Sequence, residues 1–311
     1  MKILLTTTSF QDTPGVHQDL LYSQGFEIDT LRGPILEKEL LPIIHNYDAV
    51  ICGDDEYTEA VIKKGVEGNL KYISKYGVGL DRIDLEAAKK YGVPVTNCPA
   101  VNQVSVSEHV LALLLTFERN VHLQYNSVQK GSWKRWIGNE IEGKTIGIIG
   151  LGSVGKELAK KSNALGMSVI AFDLYKDEDF LSNHKEVSFV TSLDVIYEQA
   201  DVISLHLPHT SETEHLINRK VIFNKIKKQP ILINTARGML VDSTALIEGL
   251  KEKKLRGYLT DVLANEPILD DEMLKGVDNV IITPHVGSRT YQSVQKQGSM
   301  AVNNLLKLIN S

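Results

Sequence analysis

Runs of apolar and β-branched residues alternate with helix-period stretches from the start of the chain onward. Near-continuous apolar runs predict strands at residues 2–7, 26–30, 47–52, 70–75 and 93–96, since a strand covered on both faces loses the in-and-out alternation of an exposed one. Helical periodicity fills the gaps at 16–22, 37–45, 58–64 and 84–91, the last with Asp84 as N-cap and Gly92 as its stop. Residues 104–117 are apolar nearly all round, which predicts a helix buried on several sides. Residues 120–142 follow with no strand signal and carry both tryptophans, Trp133 and Trp136. They read either as an extended arm or as a loop folded over its own domain. Alternation then resumes, with strands expected at 145–149, 168–173, 202–207, 230–234, 257–262 and 280–283, and helices at 156–165 and 242–253. A last helix at 290–309 comes after this second set is finished and is expected to return to the first. Strands separated by helices form parallel sheets covered on both faces. The fold class is therefore α/β, with two doubly wound parallel-sheet domains and a cleft between them.

One turn carries more than architecture. Gly150-Leu151-Gly152-Ser153-Val154-Gly155 links a strand to a helix pattern, and a second apolar run ends on Asp173, about twenty residues further on. Glycine-rich turns also open ordinary α/β units, so the motif counts only with this strand, helix and acid around it. Gly150 permits the tight turn, Gly152 lets the main chain close on a pyrophosphate, and Gly155 lets helix and strand pack closely. Unpaired N–H groups at the helix start attract the phosphates. Asp173 is suited to accept the adenosine ribose hydroxyls, and its charge repels a 2′-phosphate, which predicts NAD rather than NADP.

At 311 residues the chain is long enough for about two domains, and 42% hydrophobic with 23% charged residues is a globular balance rather than a disordered one. The net charge of −5 disfavours nucleic acid and anionic membranes as partners. The longest apolar run, Val110 to Leu115, is far too short to span a bilayer, and the N-terminal run turns polar at Thr6, too early for a signal peptide. Two cysteines, Cys52 and Cys98, make no disulfide framework, so a reducing cytoplasm is the expected location and no metal site is expected.

Redox chemistry on a carbonyl or alcohol needs an anion clamp, a proton carrier and a group that tunes the carrier. Arg237, Glu266 and His285 each follow a late strand, on the edge where open α/β sheets bind ligands. Taken singly they read as a surface cation, a turn residue before Pro267 and a histidine satisfied at a sheet end. Taken together, beside the glycine turn, they read as a site, with the imidazole as proton carrier near pH 7. His45, His109, His206 and His209 lack this combination of strand end and flanking glycine.

These pieces together resemble the D-isomer-specific 2-hydroxyacid dehydrogenases over nearly the whole chain. The likeness rests on Tyr76-Gly77-Val78-Gly79-Leu80-Asp81, Ser105-Val106-Ser107-Glu108-His109, the glycine turn, Asn234-Thr235-Ala236-Arg237-Gly238, Asp261-Val262, Glu266-Pro267 and Pro284-His285-Val286-Gly287. The resemblance implies a flavodoxin-like substrate domain from 1–98 plus 287–311 and a Rossmann NAD-binding domain from 99–286. It also implies a homodimer formed through the helix and arm near 104–142. It makes His285 the acid/base, Glu266 its partner and Arg237 the holder of the substrate carboxylate, helped by the backbone of Tyr76, Gly77, Val78 and Gly79. It places Asp261 near the nicotinamide carboxamide, and Val106, Ser153, Val154, Thr235, Ala236, Gly287 and Ser288 along the cofactor. The implied reaction is hydride transfer between nicotinamide and C2 of a small 2-hydroxy or 2-keto acid. The leading substrate is 3-phosphoglycerate, at the first step towards serine, with hydroxypyruvate or glyoxylate as alternatives. The acids Asp54, Asp55 and Glu56 would repel a phosphate, with Lys75, Arg135 and Arg289 as compensating cations. An NAD-sensing binding module, of the kind used by C-terminal-binding corepressors, is the reading from a different class.

Overall fold

The computed structural model describes residues 1–310, in two compact units: Met1–Asn102 with the chain from Ser288 onward, and Gln103–Gly287. The first unit holds β1 (Lys2–Leu5), β2 (Glu27–Thr30), β3 (Ala49–Cys52), β4 (Tyr72–Lys75) and β5 (Val95–Thr96). They form one sheet in the order β2-β1-β3-β4-β5, all parallel, which is the flavodoxin-like arrangement. All four residues of β3 are buried, which is why that stretch shows no alternation. Pairing in β1 ends at Leu5, short of the expected Thr7; Thr6 stays buried because its hydroxyl binds the Asp55 carboxylate. The helix Tyr291–Ile309, capped by Thr290, lies on this sheet, where the Ser74 hydroxyl donates to Ala301 O at 2.8 Å. Gly298 lets it approach the helix Val16–Tyr22: a Cβ there would be 2.6 Å from the His17 ring.

The second unit holds β6 (Thr145–Ile149), β7 (Ser168–Phe172), β8 (Val187–Phe189), β9 (Val202–Leu205), β10 (Ile231–Asn234), β11 (Gly257–Thr260) and β12 (Val280–Ile282). Their order is β12-β11-β10-β9-β6-β7-β8, again all parallel. Alternate residues serve opposite faces: Ile149, Ile203, Leu205 and Leu232 enter one core, and Ile146, Ile148, Val202, Ile231 and Ile233 enter the other. The direction of winding reverses between β6 and β9, so the glycine turn after β6 lies at the switch point of the sheet.

Two expectations are corrected. Residues 121–129 are not extended but form the helix Val121–Gln129, set off from Gln103–Glu118 by Asn120 at φ +52°. The arm beyond it is rooted on Glu118, whose backbone O accepts Asn139 N at 2.8 Å and whose buried carboxylate accepts Asn139 Nδ2 at 3.0 Å and Lys144 Nζ at 2.6 Å. Arg256 completes that pocket with two donors. The chain passes between units at 102/103 and 287/288 rather than 98/99 and 286/287. Val101 packs on the first unit's core, and Gly287 N is bonded to Asp261 in the second. Among the described residues no helix is long and apolar enough to cross a membrane.

Candidate active site

The glycine turn has the shape of a phosphate cradle. Gly150 sits at φ +100°, and a Cβ on it would lie 2.5 Å from His206 O; a Cβ on Gly155 would overlap Gly150 O. Gly152 differs, since a Cβ there would meet nothing within 4 Å. The helix Ser153–Ala164 begins at that open space with no side-chain cap, which leaves the first-turn N–H groups of Ser153 and Val154 to a ligand. Asp173 is fixed beside the turn, with Oδ2 accepting Leu151 N at 2.7 Å and Oδ1 accepting Tyr175 N at 3.0 Å. Each oxygen keeps a second lone pair for ribose hydroxyls. Past β10, the Thr235 hydroxyl is buried and has no hydrogen-bond partner among the described residues, which fits a polar ligand at this turn. These residues fit a dinucleotide. Val106 is buried in the first turn of Gln103–Glu118, and Ser288 falls in the first unit.

The chemistry-bearing side chains come from three adjoining turns. After β10, buried Asn234 accepts Ala236 N at 3.1 Å and donates to Arg237 O at 2.9 Å, which fixes the half-buried Arg237. Its guanidinium Nη1 donates to Ala236 O at 2.7 Å. Gly238 then rests so closely on the backbone of Leu263 and Ala264 that no side chain would fit, so this turn abuts the one carrying Glu266. Glu266 Oε1 accepts Leu263 N at 2.9 Å, and this aims Oε2 at His285 Nδ1, 2.6 Å away. His285 itself sits at φ +52°, a left-handed conformation that costs an ordinary L-residue about 1–2 kcal/mol.

Asp261 is expected at a carboxamide, but protein donors occupy it: Oδ1 accepts the Thr283 hydroxyl at 2.6 Å and Val286 N at 2.9 Å, and Oδ2 accepts Gly287 N at 2.7 Å. Burial pushes its carboxyl up, but hydrogen bonds from His109, Thr283 and the two amides outweigh this and hold it below the usual range. His109, passed over in the sequence, lies 2.9 Å from Thr283 Oγ1 and 3.4 Å from Asp261 Oδ1. Its only sequence signal was its place in the Ser105-to-His109 motif. His206 pairs with Ser204 Oγ at 2.9 Å, and burial lowers it to about 4, so it stays neutral at neutral pH.

In the first unit, Gly77 at φ +127° turns the chain after β4, and the amides of Gly77, Val78 and Gly79 donate to no acceptor among the described residues. Tyr76 is buried, its hydroxyl 3.3 Å from Ser9 Oγ. Lys75, expected as a substrate cation, has protein partners. Its side chain is buried, and the ammonium bonds Asp54 Oδ1 at 2.8 Å and Tyr76 O at 3.3 Å. The neighbouring acids are structural. Buried Asp55 accepts Ile35 N at 2.8 Å and Gly53 N at 3.1 Å, and Glu56 accepts Glu37 N and Arg82, both at 3.0 Å. Arg289 Nη2 reaches Thr8 Oγ1 at 3.4 Å, while Arg135 is exposed on the arm of the other unit.

A dinucleotide cradle and a carboxylate-backed imidazole thus lie on one edge of one parallel sheet. Residues 111–287 match the family model for the D-isomer specific 2-hydroxyacid dehydrogenase, NAD binding domain. The D-3-phosphoglycerate dehydrogenase of Methanocaldococcus jannaschii is 36% identical over 312 residues, which cover 99% of this chain and 57% of that protein. The hydroxypyruvate reductase of Thermotoga maritima is 38% identical over 286 residues, 90% of this chain and 91% of that one. The chain thus spans little more than half of the first relative and most of the second. A crystal structure of a protein from Thermus thermophilus aligns with a TM-score of 0.88 at 35% identity, covering 100% of this chain and 97% of the other. The chain belongs to the D-isomer specific 2-hydroxyacid dehydrogenase family, whose members are NAD-dependent oxidoreductases acting on CH–OH groups, and residues 111–287 are its NAD-binding domain.

Proposed function

We propose that the chain interconverts a small unphosphorylated 2-keto acid, hydroxypyruvate or glyoxylate, and its D-2-hydroxy acid, using NADH and NAD. When bound, the nicotinamide exchanges a hydride with C2 of the acid. The chain's own part is to hold the proton and the carboxylate. Glu266 binds His285 through Nδ1, so Nε2 is the nitrogen that gives a proton to the C2 oxygen in reduction and takes it back in oxidation. Arg237 receives the carboxylate, which a planar guanidinium orients better than an ammonium does. Asp173 selects NAD by repelling a 2′-phosphate.

The Lys75–Asp54 pair carries the choice of substrate. A phosphate tail would find that ammonium neutralised and a carboxylate beside it, whereas a hydroxymethyl tail or none meets no such repulsion. Similarity to the phosphoglycerate dehydrogenase supports 3-phosphoglycerate as the second reading. An NADH assay against hydroxypyruvate, glyoxylate, pyruvate and phosphohydroxypyruvate separates them. The expected kcat/KM for hydroxypyruvate or glyoxylate is about tenfold or more above that for phosphohydroxypyruvate. The reverse order overturns the substrate, and no turnover on any of the four overturns the activity. His285→Ala is expected to lose about two to four orders of magnitude in kcat.

The exposed arm supports self-association as part of this reading. Tyr125, Trp133 and Ile137 are 63%, 79% and 96% exposed in the single chain, the kind of side chains a homodimer covers. Light scattering that returns the mass of one chain at micromolar concentration would refute this. Two buried free cysteines suit a reducing cytoplasm.

A further inference from the structure

The left-handed turn at His285 is held by residues that have no part in the chemistry above. His285 N donates to Asp261 O at 2.9 Å, and the next two amides, Val286 N and Gly287 N, converge on the two oxygens of the Asp261 carboxylate at 2.9 and 2.7 Å. Successive N–H groups around a left-handed residue make a concave anion site. Here the anion is the protein's own carboxylate. A carboxylate can rotate about its terminal bond, so something must fix its plane. The Thr283 hydroxyl does so, donating to Asp261 Oδ1 at 2.6 Å. Its single proton is then committed, so its oxygen accepts from His109 Nε2, 2.9 Å away, and that contact assigns the proton of His109 to Nε2. Gly287 completes the fit, since a Cβ there would come within 3.0 Å of Asp261 Oδ2 and 3.5 Å of the His109 ring.

We propose that Thr283 and His109 are positioning residues. They aim the Asp261 carboxylate into the amides of Val286 and Gly287 and so keep His285 in the one backbone conformation that presents its imidazole to Glu266. His109 stands on the helix Gln103–Glu118, far from the strand ends in sequence, so it ties that helix to the turn that bears the acid/base. The proposal rests on the reading of His285 as acid/base for its effect on turnover, but the holding of the turn stands independently of it.

The test is amide hydrogen exchange over residues 284–287 of the full-length protein, alongside steady-state kinetics, for Thr283→Val, Thr283→Ser, His109→Leu and His109→Gln. Thr283→Val and His109→Leu are expected to speed exchange at Val286 and Gly287 about tenfold or more. They should lower kcat by about tenfold while KM for NADH and for the keto acid stays within about twofold. Thr283→Ser and His109→Gln each restore a donor and should return both readouts close to wild type. Exchange at 284–287 that is unchanged in both deleting variants overturns the proposal, as does faster exchange with unchanged kcat in an active enzyme. Should Thr283→Val fail to fold, the contrast between His109→Leu and His109→Gln decides alone. A wild-type protein without turnover would sink the acid/base reading, and the exchange comparison would still decide whether this network holds the turn.

Discussion

Replacing Glu266 by glutamine keeps the shape of the dyad and removes its charge. The side chain is held at one end, where Leu263 N donates to Oε1 at 2.9 Å, so the amide oxygen of the glutamine must stay there. Its NH2 group then faces His285 Nδ1 across the 2.6 Å now bridged by Oε2. An imidazolium would set N–H against N–H. The ring therefore prefers the neutral tautomer with its proton on Nε2, and giving that proton away would leave no proton on Nδ1. A hydrogen bond to a charged partner contributes about 1.5–3 kcal/mol, and each 1.36 kcal/mol is tenfold in rate. His285 and Glu266 side chains are 38% and 30% exposed, so solvent screens part of this and the lower end applies. Glu266→Gln should lower kcat/KM for keto-acid reduction about 10- to 30-fold. The alkaline limb of the reductive profile should move to lower pH, because the charged ring has lost its counter-charge. Stopped-flow NADH oxidation across the pH range measures both. A variant within about twofold of wild type, with the same limb, would show that the contact does not support proton transfer.

Other parts of the structure give equally direct outcomes. Asp173→Ser removes the carboxylate charge beside the glycine turn while keeping one acceptor for Leu151 N, so the ratio of kcat/KM for NADPH to that for NADH should rise about tenfold or more; an unchanged ratio removes Asp173 from coenzyme choice. Gly155→Ala drives a Cβ into Gly150 O, and about 1–3 kcal/mol of stability together with most NADH affinity should be lost, as read by thermal melting and fluorescence titration. Glu118→Gln strands Arg256 and Lys144 at a fully buried position. About 3 kcal/mol is expected at neutral pH, the low end for a broken buried pair because both cations keep some exposure. Burial raises the Glu118 carboxyl, but the two cations hold it below its ordinary 4.5, so this contribution is complete above 4.5 and fades as pH falls through the folded value. Denaturant melts should therefore show the wild-type advantage shrinking on acidification, and a gap that does not change with pH would contradict the assignment.

Much of this was legible before any coordinates because the informative residues act locally. Gly150, Gly152, Gly155 and Asp173 lie within one β–α–β unit, and the fully buried strand β3 reads as an unbroken apolar run, with β9 and β10 each carrying a single polar residue. Strand ends were overread at Thr6 and at Asp261 and Val262, where burial continues after pairing has stopped. The helix Val121–Gln129 was missed because its apolar residues Val121, Tyr125 and Val128 are exposed, so no stripe turns towards its own unit's core. Strand β8 is three residues long, too short to leave a period. The Lys75–Asp54 pair and the contact of His109 with Thr283 were invisible for another reason. They join side chains 21 and 174 positions apart, and only the completed sheets bring such residues together.

Strand order has an evolutionary corollary. The coenzyme cradle hangs from β6 and β7, the acid/base turns hang from β10, β11 and β12, and β9 alone stands between the two groups. Substitutions that retune one side therefore have only a single shared strand through which to disturb the other. A lineage built on this plan can trade one organic acid for another at its outer loops while inheriting its coenzyme preference untouched.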